Sequence, residues 1–378
     1  MASVAGDGTA RRVRDSTWGR QEMRRVRVLA CGLIVSAISC AQLTPDAQTC
    51  AGSAGTAEFR IAACTRAITS RQLSREDLAR TFYNRGIAWG FKSDHDRAIA
   101  DYNEAIRLNP QDAQAYYNRG IAWAFKSDYE RAIADFSQAI RLYPQFAQAY
   151  HNRGIAWDTK SDHDRAIADF SEAIRLNPQD SEAYHRRGIA WGIKSDHDRA
   201  IADYSEAIRL GPKDALVYNN RGVVWGNKGD HNRAIADYNE AIRLNPVYTL
   251  AYRNRAMAWD AKGEIERGTA DFNETIRINP KDASNYNALA WRLAVSRNDG
   301  ARDGKRAIEL AMQACELTSW NVANYLDTLA AAYAEAGQFP EAIRWQEKSL
   351  EFPEFVKASG TRARERLNLY RSGKPYRE

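Results

Sequence analysis

ARTFYNRGIAWGFKSDHDRAIADYNEAIRLNPQD, residues 79–112, is followed without a gap by AQAYYNRGIAWAFKSDYERAIADFSQAIRLYPQF, residues 113–146. The two stretches share a register of 34 residues, and four more copies follow in it, over 147–180, 181–214, 215–248 and 249–282. A fixed step of this length marks a chain of stacked, near-identical units. In each copy the small and apolar residues gather at positions 4, 8 and 11 and again at 20, 24 and 27, each set being one face of a helix. A short turn is expected near positions 14–16, and Pro at position 32 (Pro110, Pro144, Pro178, Pro212, Pro246, Pro280) stops the second helix. Each unit is therefore two amphipathic helices. One such hairpin cannot bury both apolar faces, so the units must stack.

Position 4 is aromatic in all six copies (Phe82, Tyr116, Tyr150, Tyr184, Tyr218, Tyr252). Position 8 is Gly in five (Gly86, Gly120, Gly154, Gly188, Gly222) and Ala256 in the sixth; position 20 is Ala from Ala98 to Ala234 and then Gly268. Small residues at 8 and 20 let the paired helices approach closely. With the closing Pro, this pattern resembles the tetratricopeptide-repeat (TPR) family over most of the chain. The resemblance implies an all-α fold, a right-handed TPR superhelix (α-solenoid) of about eight helix-turn-helix repeats plus capping helices, whose business is binding other proteins.

The expected organisation runs outward from the six regular repeats at 79–282. Residues 283–356 hold two divergent repeats. The first begins at Ala283 (Tyr286, Ala290) and carries about five extra residues within SRNDGARDGKR before a second helix at Ala307; the next, Ala323–Phe355, has Ala330, Tyr333, Gly337 and Ala342. Residues 357–378 form a basic C-terminal helix and tail. Before the repeats, 42–78 is an N-terminal segment with a capping helix: RIAACTRAI (60–68) reads as a lone second helix, and Ser74 before Asp77 as an N-cap.

Residues 1–41 read as a secretory signal peptide. Arg24, Arg25 and Arg27 precede VLACGLIVSAISCA, an apolar run of 14 residues. A membrane-spanning helix needs about 20, whereas a basic start, a short apolar run and a small-residue end suit export and cleavage after Ala41. Met23 is an alternative start. Ala37-Ile38-Ser39-Cys40 also loosely resembles a bacterial lipoprotein box, so membrane attachment is expected only through a lipid on Cys40. Export places the chain in the periplasm or cell envelope, where a disulfide can persist. Cys50 and Cys64 flank the first helix and are the natural pair.

The formal net charge of +6 suggests nucleic acid only until it is located. Residues 1–41 hold seven Arg against three acids, and Lys357–Glu378 seven bases against two. The body between has 40 basic and 43 acidic residues, which offers no broad phosphate-tracking surface. No C-x-x-C pair, Gly-rich phosphate loop or H-E-x-x-H occurs. Four histidines share position 17 (His95, His163, His197, His231), but successive repeats lie about 8–10 Å apart or more, too far for two zinc bonds of about 2.0–2.1 Å. They are expected to fill the site that Tyr129 fills in its repeat. The Trp at position 11 (Trp89, Trp123, Trp157, Trp191, Trp225, Trp259) is expected in the inter-helix core. No catalytic residue, cofactor, metal or small-molecule substrate is expected.

Two features remain. Position 7, usually Leu in the family that this chain resembles, is Arg85, Arg119, Arg153, Arg187, Arg221 and Arg255, while position 23 is Asp101, Asp135, Asp169, Asp203, Asp237 and Asp271. In a hairpin turning near 15 the two positions are equidistant from the turn and should meet. In the divergent repeats both become apolar together (Leu289 with Leu310, Leu329 with Trp345), as partners should. The second feature is a groove. The resemblance implies that positions 2, 5, 9, 12 and 13 line a concave face, and here they vary while the scaffold repeats. Arg80, Tyr83, Phe91, Tyr117 and Phe125 make its first half aromatic, and His151, His185 and Arg253 carry it into a more polar second half. Drift on a solvated face would leave the same variation. The Lys-at-5, Asn-at-9 carboxylate clamp of chaperone-binding TPRs is missing. The leading expectation is an exported adaptor holding a peptide or partner protein in the groove; the alternative is a structural or self-assembling envelope scaffold. An enzyme with a TPR arm would need a non-repeat domain of catalytic size.

Overall fold

The computed structural model describes residues 44–52 and 55–378, so the export signal and Cys40 lie outside the described residues. Among these residues the chain forms nineteen α-helices and no strand, an all-α array of paired helices. It divides into two compact units, one ending at Leu210 and one beginning at Gly211.

The N-terminal unit opens with α1 (Pro45–Ala51) and α2 (Ala57–Thr69). Cys50 and Cys64 are bridged and fully buried, which fastens α1 to α2. Four hairpins follow: α3 (Arg75–Phe91) with α4 (His95–Leu108), α5 (Ala113–Phe125) with α6 (Tyr129–Leu142), α7 (Ala147–Thr159) with α8 (His163–Leu176), and α9 (Ser181–Ile193) with α10 (His197–Leu210). Ser74 caps α3, its hydroxyl accepting from the Asp77 N–H at 3.1 Å. Asp at position 16 starts each second helix: Asp94, Asp128 and Asp162 accept from the N–H groups of Arg97, Arg131 and Arg165, each at 3.1 Å. Each such cap contributes about 1 kcal/mol. Between the helices, Ser93, Ser127, Ser161 and Ser195 take positive φ. Across the hairpin, Gly at position 8 meets the ring at position 24: a Cβ on Gly120 would lie 2.8 Å from the Phe136 ring.

The C-terminal unit begins with two more such hairpins, α11 (Ala215–Asn227) with α12 (His231–Leu244) and α13 (Thr249–Ala261) with α14 (Ile265–Ile278). In the second of these, Ala256 and Gly268 have exchanged the usual small residues. A Cβ on Gly268 would run into Asp260 Oδ1 and sit 3.0 Å from the Ala256 carbonyl oxygen, so position 20 has no room for a side chain here. Next come α15 (Ala283–Val295), a short 3-10 turn (Asp299–Ala301) and α16 (Gly304–Leu317), then α17 (Ala323–Glu335) with α18 (Phe339–Ser349), and α19 (Pro353–Arg371). Two expected boundaries move. α16 begins at Gly304 rather than Ala307 because Asp303 caps it, accepting from the Arg306 N–H at 2.9 Å. The last hairpin is complete before Pro353, which opens α19 inside the stretch assigned above to the repeat.

The position-7 Arg and position-23 Asp meet in all six regular repeats. In the third, Arg153 donates from Nε to Asp169 Oδ2 at 2.8 Å and from Nη2 to Oδ1 at 2.7 Å. Its remaining nitrogen, Nη1, donates to Ser137 Oγ of the preceding repeat at 2.9 Å, and its guanidinium lies 5.6 Å from the Tyr150 ring centroid. Arg119 and Arg255 likewise close their own hairpins and reach the one before, at Asn103 and Asn239.

Candidate binding face

The first helices of the N-terminal unit present positions 5, 9 and 13 on one side, one helical turn apart. The structure sorts them by depth. Position 5 is not an open groove residue. Tyr117 is 6% exposed, and His151 and His185 are buried. Each ring leans on the position-24 ring of its own hairpin: Tyr117 on Phe136, His151 on Phe170 and His185 on Tyr204, with centroids 5.8–5.9 Å apart. Tyr117 is also 4.6 Å from the Phe146 ring. The Tyr117 hydroxyl accepts from Asn152 Nδ2 at 2.9 Å, and the half-buried Tyr83 hydroxyl from Asn118 Nδ2 at 2.8 Å. In both cases the donor is position 6 of the next first helix, which closes over the ring. Burial pushes both phenols well above their ordinary pKa. The expected four-residue aromatic patch therefore loses its tyrosines to the packing between helices.

Positions 9 and 13 remain. Ile87, Ile121, Ile155 and Ile189 are half-buried, while Phe91, Phe125 and Ile193 are 39%, 36% and 42% exposed. Together they make an apolar stripe across four first helices, interrupted at position 13 by Thr159. His95 stacks on Phe125, centroids 4.8 Å apart and rings 11° from parallel. Burial is the main force lowering the His95 pKa, with the Lys126 charge adding to it against Asp94 and Asp96. The neutral imidazole so favoured extends the apolar surface. Arg80 is exposed and paired with Glu76 at 2.5 Å, at the edge of the same helix.

Beside the stripe sits an ionic cluster that sequence reading did not assemble. Glu182 accepts from Arg186 Nε at 2.8 Å, His185 Nδ1 lies 3.9 Å from Glu182, and His151 Nδ1 lies 3.2 Å from Asp180. Burial is the largest influence on both acids and pushes their pKa up. The partners outweigh it: His151 holds Asp180 below its ordinary range, and His185 with Arg186 holds Glu182 well below its own. The one available signal was Glu182 and Arg186 at i, i+4. Arg253 occupies position 5 in the C-terminal unit, half-buried, where its neighbour Met257 at position 9 is 50% exposed.

The other candidates resolve into scaffold. The position-11 Trp are half-buried rather than enclosed: one side faces the core, and Arg at position 19 covers the other, as Arg97 does over Trp89 and Arg131 over Trp123, both at 4.5 Å. His163 Nδ1 is 2.7 Å from Asp158. Among the described residues no three His, Cys, Asp or Glu side chains gather as metal ligands would, and no helix is long and apolar enough to cross a membrane.

Comparison with known families matches tetratricopeptide-repeat profiles to residues 83–145, 125–181, 159–215, 215–248 and 322–352, together just over half of the chain. No match was found among curated proteins. Among solved structures the chain is similar to YrrB, described as a TPR protein with an unusual peptide-binding site (24% identity, TM-score 0.45, covering 50% of this chain and 95% of that one). It is also similar to MamA from Desulfovibrio magneticus (22%, 0.44, 46% and 99%) and to a tetratricopeptide repeat protein from Parabacteroides merdae (18%, 0.45, 62% and 91%).

Proposed function

This chain belongs to the tetratricopeptide-repeat family, and we propose that it is an exported, non-enzymatic adaptor that holds an extended stretch of a partner protein against the apolar stripe of its N-terminal unit. A repeat scaffold of this family serves contacts between proteins. The observation that carries the finer reading is the exposure of Phe91, Phe125 and Ile193 above a row of half-buried Ile, in a unit whose other large apolar groups are mostly packed. Buried aromatic anchors tend to dominate binding energy, and two Phe one repeat apart offer such anchors at a fixed spacing. Export is supported by the basic, then apolar, then small-residue N-terminus. The Cys50–Cys64 bridge is consistent with an oxidising compartment.

A photo-crosslinking side chain at position 125 tests the reading, with position 143 as control, since Tyr143 is 50% exposed just beyond the end of α6. In cells the adduct should form at 125 and not at 143, and Phe91→Ser with Phe125→Ser should abolish co-purification of the crosslinked protein. Equal adducts at both positions, or unchanged co-purification with the folded double variant, would reject the stripe as the site.

A further inference from the structure

We infer that the face shared by α15 and α17 is a second peptide-binding site, suited to a short extended segment with an aromatic, an Arg and a Glu in succession, and that residues 374–378 of this chain occupy it in cis as a displaceable strap. It is a different surface from the Phe91–Phe125 stripe and stands independently of it.

After α19 the chain reverses at Gly373, whose φ of +69° is the left-handed conformation that glycine adopts without strain. Lys374 N–H closes the turn on the Leu369 carbonyl at 3.0 Å. The chain then crosses to α15. Glu378 N–H donates to the Val295 carbonyl at 2.9 Å, one of the carbonyls that the end of a helix leaves without an internal partner. Trp291 Nε1–H donates to the Glu378 carboxylate at 2.6 Å. Arg377 pairs with Glu335 of α17 at 2.6 Å, and the Tyr376 ring lies 6.2 Å from that of Trp291. Arg366 of α19 faces both rings from one side, 5.4 Å from one centroid and 5.5 Å from the other.

Three features make this a receptor with a ligand rather than a terminal cap. First, the buried polar core of the receptor is paired without the strap. Arg366 donates to both oxygens of Asp327 at 2.8 Å, Gln346 adds a bond to the same carboxylate at 2.6 Å, and Arg366, Asp327 and Gln346 are all buried. Second, the strap is only partly buried: Lys374 and Glu378 are exposed, and Pro375, Arg377 and the Tyr376 that rests on the core are half-buried, whereas α19 is anchored by buried Phe355, Ala363, Leu367 and Tyr370. Third, Asp327 stands at position 5, Trp291 at position 9 and Val295 and Glu335 at position 13. Positions 9 and 13 are the ones that form the stripe of the regular repeats, and position 5 is the enclosed one beneath them. The recognition is polar and aromatic here, so the two faces select different segments.

The test uses the full chain. The probe is a labelled, N-acetylated peptide of sequence SGKPYRE, that of residues 372–378. The Tyr376→Ser, Arg377→Ser variant should bind the probe at least tenfold more tightly than the parent, and adding Trp291→Ala should remove that binding. In the unaltered chain, the Glu378 N–H should exchange with solvent at least tenfold faster than the amides in the middle of α17. Two results would overturn the inference: a folded variant that binds the probe no better than the parent, or a Glu378 N–H that exchanges only as slowly as α17. The exchange measurement decides alone if the variant fails to fold. Neither experiment touches Phe91 or Phe125, so failure here leaves the stripe to its own test.

Discussion

Replacing Arg153 by Leu should cost about 2–4 kcal/mol, and replacing Asp169 by Leu in the same chain should return most of it. The Asp169 side chain is 8% exposed and receives two bonds from Arg153, which is itself 20% exposed. Removing one member of a fully buried pair costs about 3–5 kcal/mol, because the other charge is left dry. The one-fifth exposure of the Arg end admits some water and trims that figure. Asp169→Leu alone should cost only about 1–2 kcal/mol, since Arg153 keeps Ser137 and the solvent. The double variant recovers because an apolar pair suits this position, as Leu289 with Leu310 already does. A coupling of about 2 kcal/mol or more should follow from the four-chain cycle. Repeat arrays depart from two-state unfolding, so hydrogen exchange of α7 and α8 is the assay. The cycle also depends on pH with a definite sign. Burial raises the Asp169 pKa above its ordinary 3.8 against the lowering pull of Arg153. Its contribution to stability is therefore fullest below pH about 4 and fades as pH rises through the folded pKa. Arg153→Leu removes the lowering pull, so the variant's deficit should be small near pH 4 and full by pH about 7. Additive single losses, or a deficit that grows on acidification, would refute the pairing argument.

Gly120→Ala should destabilise by about 1–3 kcal/mol, because the new methyl would meet the Phe136 ring at 2.8 Å; an unchanged denaturant midpoint would contradict that packing. Ser127→Gly should stabilise slightly, by about 0.5 kcal/mol, since Ser127 holds φ at +61° and the same turn position is already glycine at Gly229 and Gly263; a loss would mean that the serine side chain matters there. Alkylation of unreduced mature protein under denaturing conditions should label Cys315 and spare Cys50 and Cys64, and free labelling of all three would remove the bridge. Residues 23–45 fused to a reporter that works only outside the cytoplasm should give activity, with globomycin-sensitive processing if Cys40 carries lipid; an uncleaved cytosolic product would overturn export.

The parts legible in the sequence were those fixed by distance along one hairpin. Positions 7 and 23 lie equally far from the turn, so Arg153 and Asp169 could be paired without knowing anything beyond their repeat. Position 5 needed more. Whether Tyr117 is open or enclosed is decided by Asn152, which is 35 residues away and on a different hairpin. Periodicity labels the face of a helix but does not say how far the next helix closes over it. Residues 374–378 were harder still: five residues have no helical period, and their partners Trp291, Val295 and Glu335 lie at least 39 positions upstream. Only the charges hint at a contact, a basic segment after a slightly acidic body.

The rungs and the binding faces bear on one another. A Leu at position 7 would hold neighbouring repeats by contact alone, with no preferred direction. Arg119 and Arg153 instead hold a carboxylate in their own hairpin and a side-chain oxygen in the preceding one, through nitrogens set in a rigid plane. That fixes the step between successive first helices from beneath and asks nothing of positions 9 and 13. Position 13 is then the less constrained of the two, and it is where Phe91, Phe125 and Ile193 stand exposed. In the last two repeats the rung is gone, and directional contacts shift elsewhere. Arg292 at position 10 grips Asp260 of the repeat before it, and Arg302 in the inserted turn reaches Glu335 in the repeat after it at 2.9 Å. Glu335 also receives Arg377. A binding partner that displaced the strap would therefore take over the Arg377 contact with a residue that helps to join the last two repeats, whereas a partner on the stripe would touch no such joint. The two faces should differ accordingly: occupation of the stripe should leave the exchange of α7 and α8 unchanged, and loss of the strap's arginine in Arg377→Ser, with no ligand present, should speed the exchange of α17.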